Sequence, residues 1–193
     1  ADADDVDVFH LVDAPAGHAF AARVTGLAGA HVTVIDDGRS GDAPGSDYVR
    51  ISDGPALDFM TLGGSVYVVV TADVAGDYTL DVVDITADVT GAALTSTPLT
   101  TSLPTPESIR LLPFAGNEGD DVVFDLAAAG FDARLFVVAN GDWIARNDDR
   151  AIDDVDPLID APLTAAGPYQ LLIECTEPDD AGALDFTLSS TLP

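Results

Sequence analysis

The stretch Val66-Tyr-Val-Val-Val-Thr-Ala-Asp-Val-Ala-Gly-Asp-Tyr-Thr-Leu-Asp-Val-Val83 decides the fold class. Its first six residues are dense in β-branched side chains, which fit a pleated surface. From Tyr78 onward, apolar residues alternate with Thr and Asp, the period of a strand with one dry face and one wet face. Asp73, Gly76 and Asp77, between the two runs, are turn residues. The same grammar recurs on both sides, in Val6 to Val12, Phe20 to Val24, Val32 to Ile35 and Asp185-Phe-Thr-Leu-Ser189. Gly, Pro, Asp and Asn punctuate these runs about every 10 residues, which is the spacing of antiparallel sandwiches. The best helical candidate, Leu126 to Gly130, is too short to hold a helix. The chain therefore reads as all-β.

The pattern also repeats on a larger scale. Sliding the sequence by 103 residues sets Val32-Thr-Val-Ile-Asp-Asp-Gly38 over Leu135-Phe-Val-Val-Ala-Asn-Gly141, and Val66-Tyr-Val-Val-Val70 over Tyr169-Gln-Leu-Leu-Ile173. With one residue of slip, Phe20, Ala22 and Val24 meet Val122, Phe124 and Leu126; Ala75-Gly76 meets Ala181-Gly182 after a short insertion. Ordered matches at one offset point to duplicated domains. Residues 91–106, rich in Thr and broken by three prolines, read as an extended linker between a domain at 1–90 and another at 107–193.

The opening Asp5-Val-Asp-Val-Phe-His-Leu-Val-Asp-Ala-Pro-Ala-Gly17 resembles the bacterial pre-peptidase C-terminal (PPC) domain family. In the second half, Phe131-Asp-Ala-Arg-Leu-Phe-Val-Val138, Gly141, Ala145-Arg-Asn-Asp-Asp149 and Leu163-Thr-Ala-Ala-Gly-Pro-Tyr-Gln-Leu-Leu-Ile173 are similar to that family's central strands, acidic loop and glycine-tyrosine strand. The match departs at Ile109-Arg-Leu-Leu-Pro-Phe-Ala-Gly116, which lacks the acidic opening, and at Ala43-Pro-Gly-Ser-Asp47, where the first half lacks the Asn-Asp-Asp run. The resemblance implies two tandem jelly-roll-like β-sandwiches, an accessory module of a secreted or surface bacterial protein, and binding of collagen or glycans in some members. It implies no catalysis.

Charge narrows the partners. With 34 acidic and 7 basic residues among 193, the formal net charge is −27, and no lysine occurs. Neither a phosphate backbone nor an anionic lipid surface suits such a chain, because binding adds like charge instead of releasing counterions. At 47% hydrophobic residues the chain nonetheless has the apolar content to fold. A hydrated carboxylate surface also suits high salt, where screening relieves self-repulsion. The single Cys175 excludes an internal disulfide. Residues 89–106, uncharged but cut by prolines, cannot cross a membrane as a helix. No charged segment followed by an apolar run opens the chain, so any signal peptide is expected to have been removed from a chain that is soluble and secreted, surface-attached or periplasmic.

Candidate sites are few. Asn147, Asp148, Asp149, Asp153, Asp154, Asp156 and Asp160 fall within one segment, and the first six are the set expected to surround Ca²⁺, a hard cation that takes six to eight oxygens. The spacing is not that of an EF-hand, for which Gly at the sixth and Glu at the twelfth position are missing. Equally, 30 aspartates must cluster somewhere and be merely solvated. Asp2, Asp4, Asp5 and Asp7 form a second acidic cluster. His10, His18 and His31 lack the close spacing of a zinc site, with His10 pointing away from the side of Phe9 and Leu11. Trp143, after the hairpin-like Asn140-Gly141-Asp142, is the aromatic expected to meet a partner, or else to close one end of the sandwich. Cys175 and Tyr169 are expected to pack inside. No Gly-x-Ser-x-Gly or phosphate-cradling glycine motif occurs. The expected function is a non-catalytic module presenting loops to an extracellular protein or glycan, with Ca²⁺ the cofactor if there is one. The alternatives are a ligand-free spacer and, less favoured, a small hydrolase using aspartates.

Overall fold

The computed structural model describes residues 6–37, 48–176 and 184–193. Ala43–Asp47, Ala181-Gly182 and the acidic residues Asp2, Asp4 and Asp5 lie outside them. The chain divides into two compact units, Ala1–Thr86 and Ala87–Pro193. Among the described residues the structure is strands joined by turns, with a single four-residue helix, α1 (Thr86–Val89).

The first unit holds β1 (Val6–Leu11), β2 (Ala19–Thr25), β3 (Ala30–Asp36), β4 (Tyr48–Ser52), β5 (Ala56–Met60), β6 (Val66–Ala72) and β7 (Thr79–Asp84). One antiparallel sheet has the order β1-β6-β3-β4 and the other β5-β2-β7. The quoted stretch thus supplies β6 to one sheet and β7 to the other. Strands β3 and β6 alternate strictly between buried and half-buried positions, so Val32, Val34, Val66, Val68 and Val70 form the inner surface of the first sheet. In the second sheet Phe20, Ala22, Val24, Leu57 and Phe59 are buried, and the rings of Phe20 and Phe59 stack at 5.8 Å.

The second unit holds β8 (Leu99–Leu103), β9 (Ile109–Gly116), β10 (Asp121–Ala128), β11 (Ala133–Ala139), β12 (Asp142–Asn147), β13 (Leu158–Pro162), β14 (Gly167–Cys175) and β15 (Leu184–Thr191). Its sheets run β12-β11-β14-β9 and β13-β10-β15-β8. Read from the other edge, β9-β14-β11-β12 follows the chain as β1-β6-β3-β4 does, and β13-β10-β15 as β5-β2-β7 does. Inward positions matched by the offset share their burial: Val66, Val68 and Val70 correspond to Tyr169, Leu171 and Ile173, all in a core. Each of the large apolar residues there contributes roughly 1.5–3 kcal/mol by leaving water. Cys175 belongs to this core, and Tyr169 lies within it, its hydroxyl donating to the Ala165 carbonyl.

One expectation needs correction. Residues 91–106 are not a free linker, because Leu99–Leu103 pair with β15 from Leu184↔Leu103 to Leu188↔Leu99. Pro98 and Pro104 stand just outside the strand on an edge, where no ladder donor is lost, and Leu103 plugs the core. At Leu126, where the sequence is too short to hold a helix, Leu126–Ala128 continue β10, and Leu126 is fully buried. The Asn140-Gly141 turn is a two-residue hairpin between β11 and β12, with φ of 52° and 80° at its two residues. Positive φ at both central positions matches the twist of the flanking strands and is the reason for Asn-Gly there.

Candidate functional site

The acidic segment follows β12. The Asn147 side-chain oxygen accepts from the Leu158 amide at 3.2 Å, Asp154 from the Asp156 amide at 3.2 Å, and Asp156 from the Ala128 amide at 2.9 Å. Arg150 stands in the middle. Its guanidinium pairs with Asp125 and approaches Asp154 at 3.8 Å, and its amide donates to the carbonyls of Asp154 and Asp156 at 3.0 Å each. Asp148, Asp149 and Asp153 point to solvent. The six expected ligands therefore do not converge on one point. Among the described residues no three His, Cys, Asp or Glu side chains are grouped so as to hold a metal. The donor set does not fit a calcium ion: half of it is committed to amides that order the loop, and an arginine already supplies positive charge.

The histidines are also separate. His10 is exposed on β1 and stacks on Tyr67 at 5.1 Å, while Phe9 lies in register with buried Val68. His31 approaches Asp73 at 3.8 Å. His18 donates from Nδ1 to Asp84 at 2.8 Å, and the other carboxylate oxygen of Asp84 accepts from the hydroxyl of Thr86 at 2.6 Å and its amide at 2.9 Å. The Thr86 hydroxyl bond, then the His18 and backbone bonds, hold the Asp84 carboxyl at about 2, against 3.8 in an unstructured chain. The carboxylate, not the imidazole, accepts from the Thr86 hydroxyl. The arrangement ties β7 to the turn before β2; it is not the order of a nucleophilic triad.

Trp143 lies half-buried on β12, in register with Val138. Its ring centroid is 5.0 Å from that of Phe136, and the Arg146 guanidinium lies 5.2 Å from it. Arg134 covers the Phe136 ring at 5.0 Å and pairs with the fully buried Glu174. The indole thus continues a column of side chains on the face of the β9-β14-β11-β12 sheet opposite the core. Asp7, from the second acidic cluster, accepts from the Tyr78 hydroxyl at 2.6 Å.

The unexpected feature lies on the corresponding sheet of the first unit. Because alternate residues share a face, the ladder registers define what β1-β6-β3-β4 presents away from its core. Val6, Val8 and His10 on β1 stand beside Thr71, Val69 and Tyr67 on β6. These stand beside His31, Thr33 and Ile35 on β3, and the last two beside Ile51 and Val49 on β4. None of these outward positions carries Asp, Glu or Arg, in a chain with 34 acidic residues. Val8 is 58% and Ile51 56% exposed, and Val6 and Val49 are exposed as well. Among the described residues of this sheet, exposed aspartates stand past the strand ends: Asp13 and Asp37 beyond β1 and β3, Asp53 and Asp73 beyond β4 and β6. Strands antiparallel in this order place the first pair at one end of the field and the second pair at the other. The sequence carries the signal, since Val66-Tyr-Val-Val-Val70 is apolar at both odd and even positions where a half-wet strand alternates.

No protein-family model matches the chain, and no curated protein does. Among solved structures it is similar to the pre-peptidase C-terminal domain of collagenase from Bacillus anthracis, at 13% identity and a TM-score of 0.41 over 53% of this chain and 92% of that one. It is similar to PliG from Aeromonas hydrophila, a periplasmic inhibitor of g-type lysozyme, at 15% identity and a TM-score of 0.42 over 53% and 96%. A third likeness, at 9% identity and a TM-score of 0.30 over 98% and 94%, is to the CUB1-EGF-CUB2 segment of human MASP-1/3. No helix among the described residues is long and apolar enough to cross a membrane. The all-β, two-sandwich class stands on the strand orders and burial of this chain itself.

Proposed function

We propose that the chain is a non-catalytic binding module, secreted or surface-exposed, that docks a protein through the outer face of β1-β6-β3-β4. The observation that carries this reading is the uncharged, β-branched field framed by aspartates. Exposed contiguous apolar surface is rare on monomers and marks interaction sites, and an apolar centre with a polar rim is the anatomy of a protein interface. Extracellular location agrees with the acidity and the resemblance stated above. The shared strand order and the 103-residue offset support descent of both units from one duplicated sandwich. A ligand-free spacer would gain nothing from this field, which costs solubility.

The test uses an uncharged solvatochromic dye, Nile red, on the native chain. Its emission rises on wild-type protein and falls in Ile51→Asp and Val8→Asp, while Ile152→Asp, a 98% exposed residue of the second unit, leaves it unchanged. Equal dye response in all three variants removes the face as a binding surface.

A further inference from the structure

Resting on that reading, we infer that the partner presents an apolar patch rimmed by lysine or arginine, and that it is not a second copy of this chain. The centre of the field has no charge to satisfy, so it selects for an apolar counterpart. The frame selects for sign. Asp13 and Asp37 at one end, and Asp53 and Asp73 at the other, are exposed, and across an interface they are complemented by cations. Two copies meeting face to face would instead bring aspartate rim against aspartate rim, and a charge of −27 against −27. Net charge of this size repels its like and steers cationic partners, more strongly at low salt. Among the described residues, the outward positions of the face hold no arginine.

The probe is a peptide of about ten residues alternating Leu and Lys, which presents one apolar and one cationic face when extended. Its controls alternate Ser with Lys and Leu with Ser. Binding to the full chain is read by fluorescence anisotropy. The Leu-Lys peptide binds wild type at least roughly tenfold more tightly than either control, and its affinity falls as salt rises from about 0.05 to about 0.5 M. Ile51→Asp and, independently, Val8→Asp weaken it roughly tenfold, although each adds negative charge and would strengthen diffuse attraction of a cation. Melting curves of both variants verify that they fold. If Ile51→Asp and Val8→Asp bind as tightly as wild type, the attraction is diffuse and the inference falls. If the Leu-Ser peptide binds as well as Leu-Lys, the rim plays no part; the partner chemistry is then wrong while the dye result still stands. If sedimentation shows wild type dimeric and Ile51→Asp monomeric, the occupant is a second copy, and the inference is again overturned.

Discussion

The outer faces of β1-β6-β3-β4 and β9-β14-β11-β12 occupy the same place in two sheets of the same strand order, yet they are chemically unlike. On the second, Leu111, Phe136, Leu172 and Glu174 are buried, and Arg134, Trp143 and Arg146 extend a column of paired charge and stacked rings. On the first, the positions are Val, Ile, Thr, Tyr and His, half-buried on β3 and β6 and exposed on β1 and β4, and none of them is Asp, Glu or Arg. Strand order therefore fixes the inward residues of a sandwich and leaves the outward ones free to diverge. The divergence separates a face that contributes stability from one that is available for recognition.

That contrast can be broken by substitution. The largest effect is expected from Phe136→Ala, which deletes a buried ring and lowers the stability of the second unit by about 3–5 kcal/mol, read as an earlier transition in denaturant unfolding followed by Trp143 fluorescence. If the loss is below about 1 kcal/mol, the second face contributes no more than the first. Next is Glu174→Gln, which leaves Arg134 facing a neutral amide; a loss of about 2 kcal/mol is expected in the same measurement.

Acid sharpens the comparison from the first unit's side. The Asp84 carboxyl is held near 2 in the fold and returns to 3.8 when unfolded. The unfolded chain thus binds this proton more readily, so the stabilisation is complete above about pH 4 and disappears as pH falls through 2. Asp84→Asn should flatten the fall in stability across that window, and an unchanged acid profile would show the His18–Asp84–Thr86 tie to be without weight. The smallest effect is expected on the bare face: Ile51→Thr should stay within about 0.5 kcal/mol of wild type by denaturant titration. Calcium and magnesium at equal ionic strength should shift the melting temperature alike, as diffuse screening does. A shift specific to calcium would demand a site that the segment from Asn147 to Asp156 does not assemble.

Much of this was legible beforehand. The β-branched runs Val32 to Ile35 and Val66 to Thr71 announced strands, because such side chains fit a pleated surface. Asn140-Gly141 announced its hairpin through the φ values that only such residues adopt cheaply. What escaped the reading depends on partners distant in sequence. Leu99–Leu103 looked like linker because its prolines are conspicuous, whereas its pairing with β15 lies more than 80 residues away. Asp148, Asp149 and Asp153 resemble ligands by density, but density does not give direction, and Arg150 in their midst pairs with Asp125 and approaches Asp154. The field on β1-β6-β3-β4 was hidden for the same reason: Val8, Val69 and Ile51 become neighbours only through the ladder.

The placement of β8 also determines where the chain can be divided. A cut between Leu103 and Glu107, at the prolines that invite one, would strip the outermost strand and its Leu103 plug from the second sandwich. The exposed margin of β15 would then offer open amides and carbonyls to any passing chain, a template for fibrous growth. Dissection before Ala87 avoids that hazard, keeping the border strand with the body it seals.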